Sequence, residues 1–333
     1  MLHPMHAVAV PPSAAYPLHV TANCYRPGPP LAGSEDDPDA LTFVFLHSAG
    51  FHKEMFEPTI DALFAAVAAW PRPSVREAWA VECPTHGESA MLNEGILRQP
   101  EWDGKFCAEE YARAAHHLLT SPGVAVDFRR HKVVGVGHSL GGVSMIFLAA
   151  ALPFHALVLV DPTLMAGQQA RLGPLHTRML RQTYERRDTW ASRAHAVSYL
   201  SARAPRWHPA ILRLFATHAL RPHPAARHAV PYNGVTLCCT RAEEATLYKD
   251  IAGPAEATLD ALTAQCPVHL VFGALPDLMP KFVQREIAHA PTRRFASVAW
   301  LEGVGHLVPQ EAPVRLAEIM SRGRELGESM GGM

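Results

Sequence analysis

The feature that most constrains this chain is a glycine-flanked serine between two apolar segments. The apolar run KVVGVG at 132–137 leads into GHSLG at 137–141, and the longer apolar segment GGVSMIFLAAAL follows at once. The short run predicts a buried strand, and the longer segment predicts a helix. A GxSxG pentapeptide at such a junction predicts a sharp turn that lifts the serine hydroxyl above the sheet edge. Ser139 is therefore the candidate nucleophile.

The segments around this turn alternate between strand and helix patterns. Strands are predicted at 41–46, 78–82, 132–137, 156–161, 268–273 and 295–301. Continuously apolar strands alternating with helices predict an α/β fold, a mostly parallel sheet with helices on both faces. The alternation lapses from residue 162 to 266, where proline-broken helical segments predominate. The predicted organisation is a core of residues 1–161 and 267–333 with a helical cap at 162–266.

A nucleophilic serine needs a base and an acid that orients it. His306 lies in GVGHL, just after the last predicted strand, and is the candidate base. Two aspartates follow strands that should end at the same sheet edge: Asp277 after 268–273, and Asp161 at the end of 156–161. Either carboxylate could fix the tautomer of the histidine. We expect Asp277, with Asp161 as the alternative.

Two backbone amides are predicted to stabilise an oxyanion. Leu140 follows the serine at the start of the predicted helix, where the helix N-terminus favours negative charge. The loop HSAG after the strand 41–46 is expected to supply a second donor, and Ala49 is the candidate. No cofactor is required by this set of residues.

Four segments together resemble the motifs of the α/β-hydrolase superfamily. LHSAGF resembles its oxyanion loop, PTHGES its PGHGxS turn, GHSLGG its nucleophile elbow and GVGHLVPQEAP its histidine loop, in the same order over 41–161 and 267–320. FLHSAGFHKEMFEPTI and ECPTHGESAMLNEG are most similar to fungal hydrolases linked to toxin biosynthesis and to peroxisomal lipase or acyl-CoA hydrolase activity. In some of these the acid follows the strand before the insertion, which would correspond to Asp161. Ser48, which follows His47, stands where the oxyanion loop of this superfamily usually has a glycine.

The resemblance and the residues together predict a serine hydrolase that cleaves a carboxylic ester or thioester through an acyl-enzyme. The same triad also serves carbon–carbon bond hydrolases and lactonases, because fold and triad do not determine the bond cleaved. A binding protein with an inactive hydrolase site is a third hypothesis. Nothing in the sequence specifies an oligomeric state.

Composition also bears on the partners, the metal content and the cellular location of the protein. A formal net charge of −1 argues against a nucleic-acid partner, and the longest apolar stretch is shorter than the ~20 residues of a membrane span. The six cysteines form no CxxC pair and there is no HExxH motif, so we expect reduced thiols and no metal site. An intracellular, cytoplasmic location is expected. The family resemblance suggests peroxisomes, but SMGGM at 329–333 is not an SKL-type signal.

The insertion differs in charge from the core. Residues 162–266 contain 12 Arg and one Lys against seven Asp or Glu, a net of +6. Such a charge is consistent with a small anionic acyl substrate. The alternative, which we prefer, is that the arginines solvate an exposed helical surface.

Overall fold

The computed structural model describes residues 2–28, 37–68, 74–164, 169–248 and 255–322. The C-terminal segment 329–333, on which the argument against a peroxisomal signal rests, lies outside these ranges. Within them, no helix is long and apolar enough to cross a membrane.

The strands form one large sheet and one small sheet. In chain order they are β1 (His6–Val10), β2 (Val20–Tyr25), β3 (Leu41–Leu46), β4 (Val75–Val81), β5 (Lys132–His138), β6 (Ala156–Val160), β7 (Thr189–Trp190), β8 (Leu220–Pro222), β9 (Val235–Leu237), β10 (Val268–Gly273) and β11 (Ser297–Leu301). The large sheet has the order β1-β2-β4-β3-β5-β6-β10-β11. In it β2 runs antiparallel to both of its neighbours, β1 and β4. The other six strands, β4, β3, β5, β6, β10 and β11, run parallel to one another. The predicted α/β fold class is confirmed.

The parallel arrangement determines where chemistry can occur. The carboxyl ends of β3, β5, β6, β10 and β11 lie along one edge of the sheet, as is usual for ligand sites in open α/β sheets. Ser139 follows β5, Asp161 follows β6, and His306 comes five residues after β11. Residues that are distant in sequence therefore meet at this edge.

Helices connect the strands and cover the sheet. In chain order they are α1 (Glu57–Val67), α2 (Gly87–Leu97), α3 (Ala108–Thr120), α4 (Leu140–Ala151), α5 (Gln169–Glu185), α6 (Arg193–Arg203), α7 (Pro209–His218), α8 (Arg241–Thr246), α9 (Ala255–Leu262), α10 (Lys281–Ala288), α11 (Val308–Glu311) and α12 (Pro313–Arg322). On one face α1 packs against α12, and on the other α4 packs against α3 and α9.

Strand β3 shows how the sequence builds two cores. Val44 and Leu46 belong to the core on the α4 side, whereas Phe43 and Phe45 belong to the core on the α1 side. All four side chains are fully buried, because successive residues of a strand point to opposite faces. Burying each contributes about 1.5–3 kcal/mol. A continuously apolar strand is therefore what a sheet covered on both faces requires.

The segment between β6 and β10 contains more than the predicted helices. It includes α5 to α9 and also the small antiparallel sheet β7-β9-β8. These strands have only two or three residues, too few for a period-two pattern to be visible in the sequence. Helix α9 packs against α4, and Leu259 and Leu262 join the core of the large sheet. We therefore propose that the cap ends before α9 rather than at residue 266.

Candidate active site

The turn that carries Ser139 is strained and tightly packed. Ser139 has φ 55° and ψ −118°, and it directly precedes the first residue of α4. A Cβ at Gly137 would overlap the carbonyl of Gly141, and a Cβ at Gly141 would overlap the carbonyl of Leu46. Only glycine fits at these two positions. The GxSxG spacing therefore follows from the close approach of β5, α4 and the end of β3.

The structure brings Ser139 and His306 together. Nε2 of His306 lies 2.9 Å from Oγ of Ser139, and the side chains are only 4% and 5% exposed, respectively. This is the hydrogen-bond distance that proton transfer between a nucleophile and its base requires. The two residues are separated by 167 positions in the chain. They meet because β5 and β11, which precede them, end at the same edge of the sheet.

The other ring nitrogen of His306 faces Asp161. Nδ1 lies 3.7 Å from Oδ1 of Asp161 and has no hydrogen-bond partner among the described residues. Asp161 is 1% exposed and adopts φ 41° at the end of β6. Oδ2 of Asp161 accepts the N–H of Gly273 at 3.1 Å, so Oδ1 is directed toward the ring.

Asp277, the acid preferred from the sequence, has a different position. Its Oδ1 accepts the backbone N–H of His306 and the N–H of Leu278, both at 2.9 Å. Its Oδ2 pairs with Arg206, and its side chain is 35% exposed. The carboxylate thus holds the backbone of the histidine loop, whereas the imidazole ring faces Asp161.

A second carboxylate supports the same loop. Oε2 of Glu311 accepts the N–H of Gly305 at 2.8 Å. Arg206, in the turn between α6 and α7, donates Nε to the same oxygen at 2.9 Å and also pairs with Asp277. Neighbouring backbone amides of the histidine loop are therefore bound by two carboxylates, and one arginine of the insertion neutralises both.

His138, which precedes the serine, contacts the histidine loop directly. Its Nε2 lies 2.9 Å from the carbonyl oxygen of His306, so Nε2 carries the proton and donates. Burial, aided by the nearby ring of His306, holds the pKa of His138 well below its usual range. The ring is neutral and ties the end of β5 to the loop of the candidate base.

The two candidate oxyanion donors follow neighbouring strands of the large sheet. Leu140 is the first residue of α4, and Ala49 lies in the loop after β3. Within the described ranges, neither amide donates to a protein acceptor. The next residue, Gly50, has φ 78° and donates its N–H to Nε2 of His86 at 2.8 Å. Burial lowers the pKa of His86, so this nitrogen remains free to accept.

A buried charge cluster lies beneath the same loop. Lys53 is 2% exposed, and its Nζ lies 3.1–3.2 Å from carboxylate oxygens of Glu54, Glu82 and Glu88. Burial disfavours the charged ammonium, but these three carboxylates outweigh it and raise the pKa of Lys53. Removing one of the buried partners, Glu54 or Glu82, costs about 3–5 kcal/mol, whereas the side chain of Glu88 is 54% exposed. The cluster therefore fixes the end of the loop that carries Ala49.

The insertion is seated on the loop after β3. The ring of Phe51 lies 5.1 Å from that of Trp207 and 5.9 Å from that of Phe215. The ion pair of Arg186 with Glu244 lies against Gly50. The segment containing α5 to α8 thus covers the residues next to the candidate oxyanion donor.

Arginines of the insertion contact carboxylates. Arg221 pairs with Glu94 of α2 at 3.0 Å, and Arg241 pairs with Asp188 at 2.9 Å. With the pairs of Arg186 and Arg206, these contacts neutralise part of the positive charge on which the hypothesis of an anionic substrate depends. No group of three or more His, Cys, Asp or Glu side chains in the described chain is arranged to hold a metal ion.

Besides His138, Glu311 and the cluster around Lys53, three further contributors to this site were not predicted. They are His86, which accepts from Gly50, Arg206, which neutralises the loop carboxylates, and Gln284, whose amide lies 3.3 Å from both oxygens of Asp161. His86 could have been found from its position in PTHGES, the segment that resembles the PGHGxS turn of the superfamily. Gln284 is an amide on the otherwise apolar face of an amphipathic helix. Arg206 is one of many arginines, and no sequence signal distinguishes it.

A mostly parallel sheet with a serine at a strand-to-helix turn is the architecture of α/β hydrolases. Residues 43–319 match the model of the alpha/beta hydrolase family, and the chain belongs to this family. The predicted family resemblance is confirmed.

The curated relatives include fungal enzymes. Type I acyl-CoA thioesterase mpaH of Penicillium brevicompactum is 28% identical over 162 residues, which is 48% of this chain and 35% of that protein. Peroxisomal membrane protein LPX1 of Saccharomyces cerevisiae is 28% identical over 135 residues, 40% of this chain and 33% of that one. The chain thus spans less than half the length of the curated relatives it matches.

Solved structures match over nearly the whole chain. The peroxisomal alpha-beta-hydrolase Lpx1 of Saccharomyces cerevisiae has a TM-score of 0.76 at 19% identity, covering 98% of this chain and 90% of that one. An esterase of Mycobacterium tuberculosis has a TM-score of 0.64 at 20% identity, covering 96% and 92%. At these identities the likeness establishes the fold.

Proposed function

We propose that the chain is a serine hydrolase of carboxylic esters or thioesters. The observation that carries the proposal is the 2.9 Å contact between Oγ of Ser139 and Nε2 of His306, with a buried carboxylate facing the opposite side of the ring. A serine hydroxyl is a weak nucleophile, and a neutral imidazole at this distance can remove its proton during attack.

Asp161 is the proposed acid, in place of Asp277. A buried carboxylate beside Nδ1 holds the tautomer in which Nε2 is free to accept a proton, and it stabilises the imidazolium that forms. Asp161 is 1% exposed and lies 3.7 Å from Nδ1. Asp277 binds the backbone amide of the histidine and the guanidinium of Arg206, so we assign it to loop support.

The proposed reaction has two steps. Oγ of Ser139 attacks the acyl carbonyl carbon while Nε2 of His306 takes its proton, and the amides of Leu140 and Ala49 donate to the oxyanion. The carbon–oxygen or carbon–sulfur bond then breaks, and the leaving alcohol or thiol receives that proton. Water next gives a proton to His306 and attacks the acyl-enzyme, and the proton returns to Ser139 as the carboxylic acid leaves.

Thioesters are the first substrate class to test. The Penicillium relative is named an acyl-CoA thioesterase, and the same serine chemistry serves oxygen esters and thioesters. The proposed partner is accordingly a small acyl compound bound beneath the insertion.

A covalent label tests the nucleophile directly and needs no substrate. We expect a fluorophosphonate to add once to the intact wild-type chain, as measured by mass, and not to Ser139→Ala. His306→Ala should label at least about a hundredfold more slowly, because the serine loses its base. A series of acyl-CoA thioesters and matched oxygen esters would then define the leaving group.

A folded wild-type chain that forms no adduct and cleaves neither series would contradict the proposed function. The hypothesis of a binding protein on a hydrolase fold would then replace it.

A further inference from the structure

A buried amide lies on the helix that packs beside the proposed catalytic acid. Helix α10 buries Val283, Ile287 and Ala288 together with Gln284, which is 1% exposed. The first three are apolar, as an amphipathic helix requires. Burying a side-chain amide on this face costs free energy unless its polar atoms find partners.

The partners of this amide are the acid and the adjoining strand. Nε2 of Gln284 lies 3.3 Å from Oδ1 and 3.3 Å from Oδ2 of Asp161, and 3.0 Å from the carbonyl oxygen of Gly273. An amide nitrogen has two hydrogens. One serves the carbonyl, and the other is shared between the two carboxylate oxygens.

These contacts determine which way the amide faces. Carbonyl and carboxylate oxygens only accept, so the amide oxygen of Gln284 would be repelled if the group were flipped. Its Oε1 points away from Asp161 and has no hydrogen-bond partner within the described residues. The nitrogen is therefore held against the acid.

The carboxylate is consequently fixed on two sides. The N–H of Gly273 binds Oδ2 of Asp161 at 3.1 Å, and the amide of Gln284 lies against both oxygens. The direction that remains for Oδ1 is toward Nδ1 of His306. Loss of the amide would leave the N–H of Gly273 to hold the carboxylate at one oxygen, so the group could rotate more easily about its bond to Cβ.

We propose that Gln284 is a positioning residue of the catalytic triad, whose side-chain amide orients the carboxylate of Asp161 toward His306. The inference rests on the proposed function, in which Asp161 is the acid. Gln284 acts through Asp161 and touches neither Ser139 nor substrate.

A purely structural role for Gln284 would predict different behaviour. If the side chain only fills space, a methionine of similar length should replace it with little effect. If its hydrogen matters, methionine should fail, and a protonated carboxyl should substitute because its O–H can donate to Asp161. The variants Gln284→Met and Gln284→Glu therefore separate the two roles.

The surroundings define how the carboxyl of Gln284→Glu should titrate. Asp161 lies on one side, and the cavity beside Gln284 is lined by Lys281, Arg285, His289 and Glu302. The cations favour ionisation, but a carboxylate about 3 Å away opposes it most strongly, because two adjacent carboxylates hold one proton between them. At higher pH both ionise and repel, which displaces Asp161.

The experiment measures the second-order rate of fluorophosphonate labelling against pH for the wild type and three variants. We expect Gln284→Met to label about a hundredfold more slowly at every pH. Gln284→Glu should stay within about tenfold of wild type at low pH and fall further behind as pH rises. Ile287→Met is the matched control: Ile287 is also buried on α10, and its replacement places a methionine on the same face without removing a hydrogen bond. It should label like wild type.

Each outcome decides the inference. Gln284→Met labelling within about twofold of Ile287→Met would overturn it, and so would a Gln284→Glu rate that keeps a constant ratio to wild type across pH. If Gln284→Met does not fold, as judged by its melting transition, the pH course of Gln284→Glu decides alone. A wild-type chain that does not label at all contradicts the proposed function instead, which is a distinct result.

Discussion

At the scale of single residues, two aspartates near His306 differ in the part of the histidine that they contact. Asp161 faces the ring and Asp277 binds the backbone amide. We expect Asp161→Asn to lower kcat about 10⁴-fold, because the ring loses its orientation and the stabilisation of its charged form. Asp277→Asn should lose far less, about tenfold, since an amide oxygen can still accept from the backbone. Steady-state hydrolysis of an activated ester measures both.

The reverse order would contradict the assignment of the acid. Both variants should first be compared by melting temperature, so that a loss of folding is not taken for a loss of catalysis. Equal losses in kcat with unchanged stability would mean that the ring and the loop are equally important.

The sequence could place both aspartates at the same edge of the sheet, but the preference for Asp277 over Asp161 had no local pattern to support it. Each follows a parallel strand, which strand patterns predict well. The choice depends on the backbone at Asp161, whose φ of 41° turns the side chain under the ring, and on Arg206, which draws Asp277 outward. Neither a positive φ at a non-glycine residue nor a partner 71 positions away leaves a local pattern.

A buried acid in α1 makes stability depend on pH. Burial raises the pKa of Glu57 to about 7 from its ordinary 4.5. Between these values the unfolded chain ionises the carboxyl and the folded chain keeps it protonated, so stability falls as pH rises through this window. Glu57→Gln removes this loss. Its melting temperature relative to wild type should therefore be higher at about pH 8 than at about pH 5.

The control for this prediction is Glu101→Gln, at an exposed carboxyl just after α2. Its effect on the melting temperature should be small and equal at both pH values. A pH-independent effect of Glu57→Gln would show that the carboxyl is ionised in the folded protein.

At the scale of elements, the turn into α4 depends on helix and strand meeting without a side chain between them. A Cβ at Gly141 would overlap the backbone of Leu46, whereas a Cβ at Gly95 in α2 meets nothing within 4 Å. We expect Gly141→Ala to destabilise the protein by about 1–3 kcal/mol and Gly95→Ala to stabilise it by about 0.5–1 kcal/mol. Urea unfolding of the two variants measures the difference.

The two substitutions are matched, because each adds one methyl group to a helical glycine. Equal effects would mean that α4 can shift away from β3 at no cost. The elbow would then be less tightly packed than the structure indicates.

The strands that the sequence predicted well are those whose residues are almost all apolar. Strands β3, β5, β6 and β10 are short apolar runs, and each lies within one residue of its prediction. Strands β1 and β2 were not predicted. The first lies at the sheet edge and is mostly exposed, and the second buries polar residues, with Thr21 bound to Ser89 and Asn23 bound to Glu54. Their pattern is set by partners distant in the sequence.

At the scale of the whole molecule, the thiols report on how completely the chain is folded. All six cysteines are free, and four of them, Cys24, Cys83, Cys238 and Cys239, are buried. Burial raises the pKa of each of these four, so little thiolate is available. We expect Ellman's reagent at about pH 8 to react readily with at most Cys107 and Cys266 in the folded protein.

The same reagent should find all six thiols after unfolding in guanidinium, without any reductant. Fewer than six would reveal a disulfide. Rapid reaction of more than two in the native protein would mean that the cores open more often than their packing suggests.

One arginine links the two parts of the molecule. Arg206 comes from the insertion and neutralises Asp277 and Glu311, which together hold the backbone of the loop bearing His306. If the insertion moved outward, these two carboxylates would lose their shared cation and repel one another, while the hydrogen bond of His138 to the carbonyl of His306 would remain. The position of the proposed base is therefore coupled to the seating of the insertion through the guanidinium of Arg206.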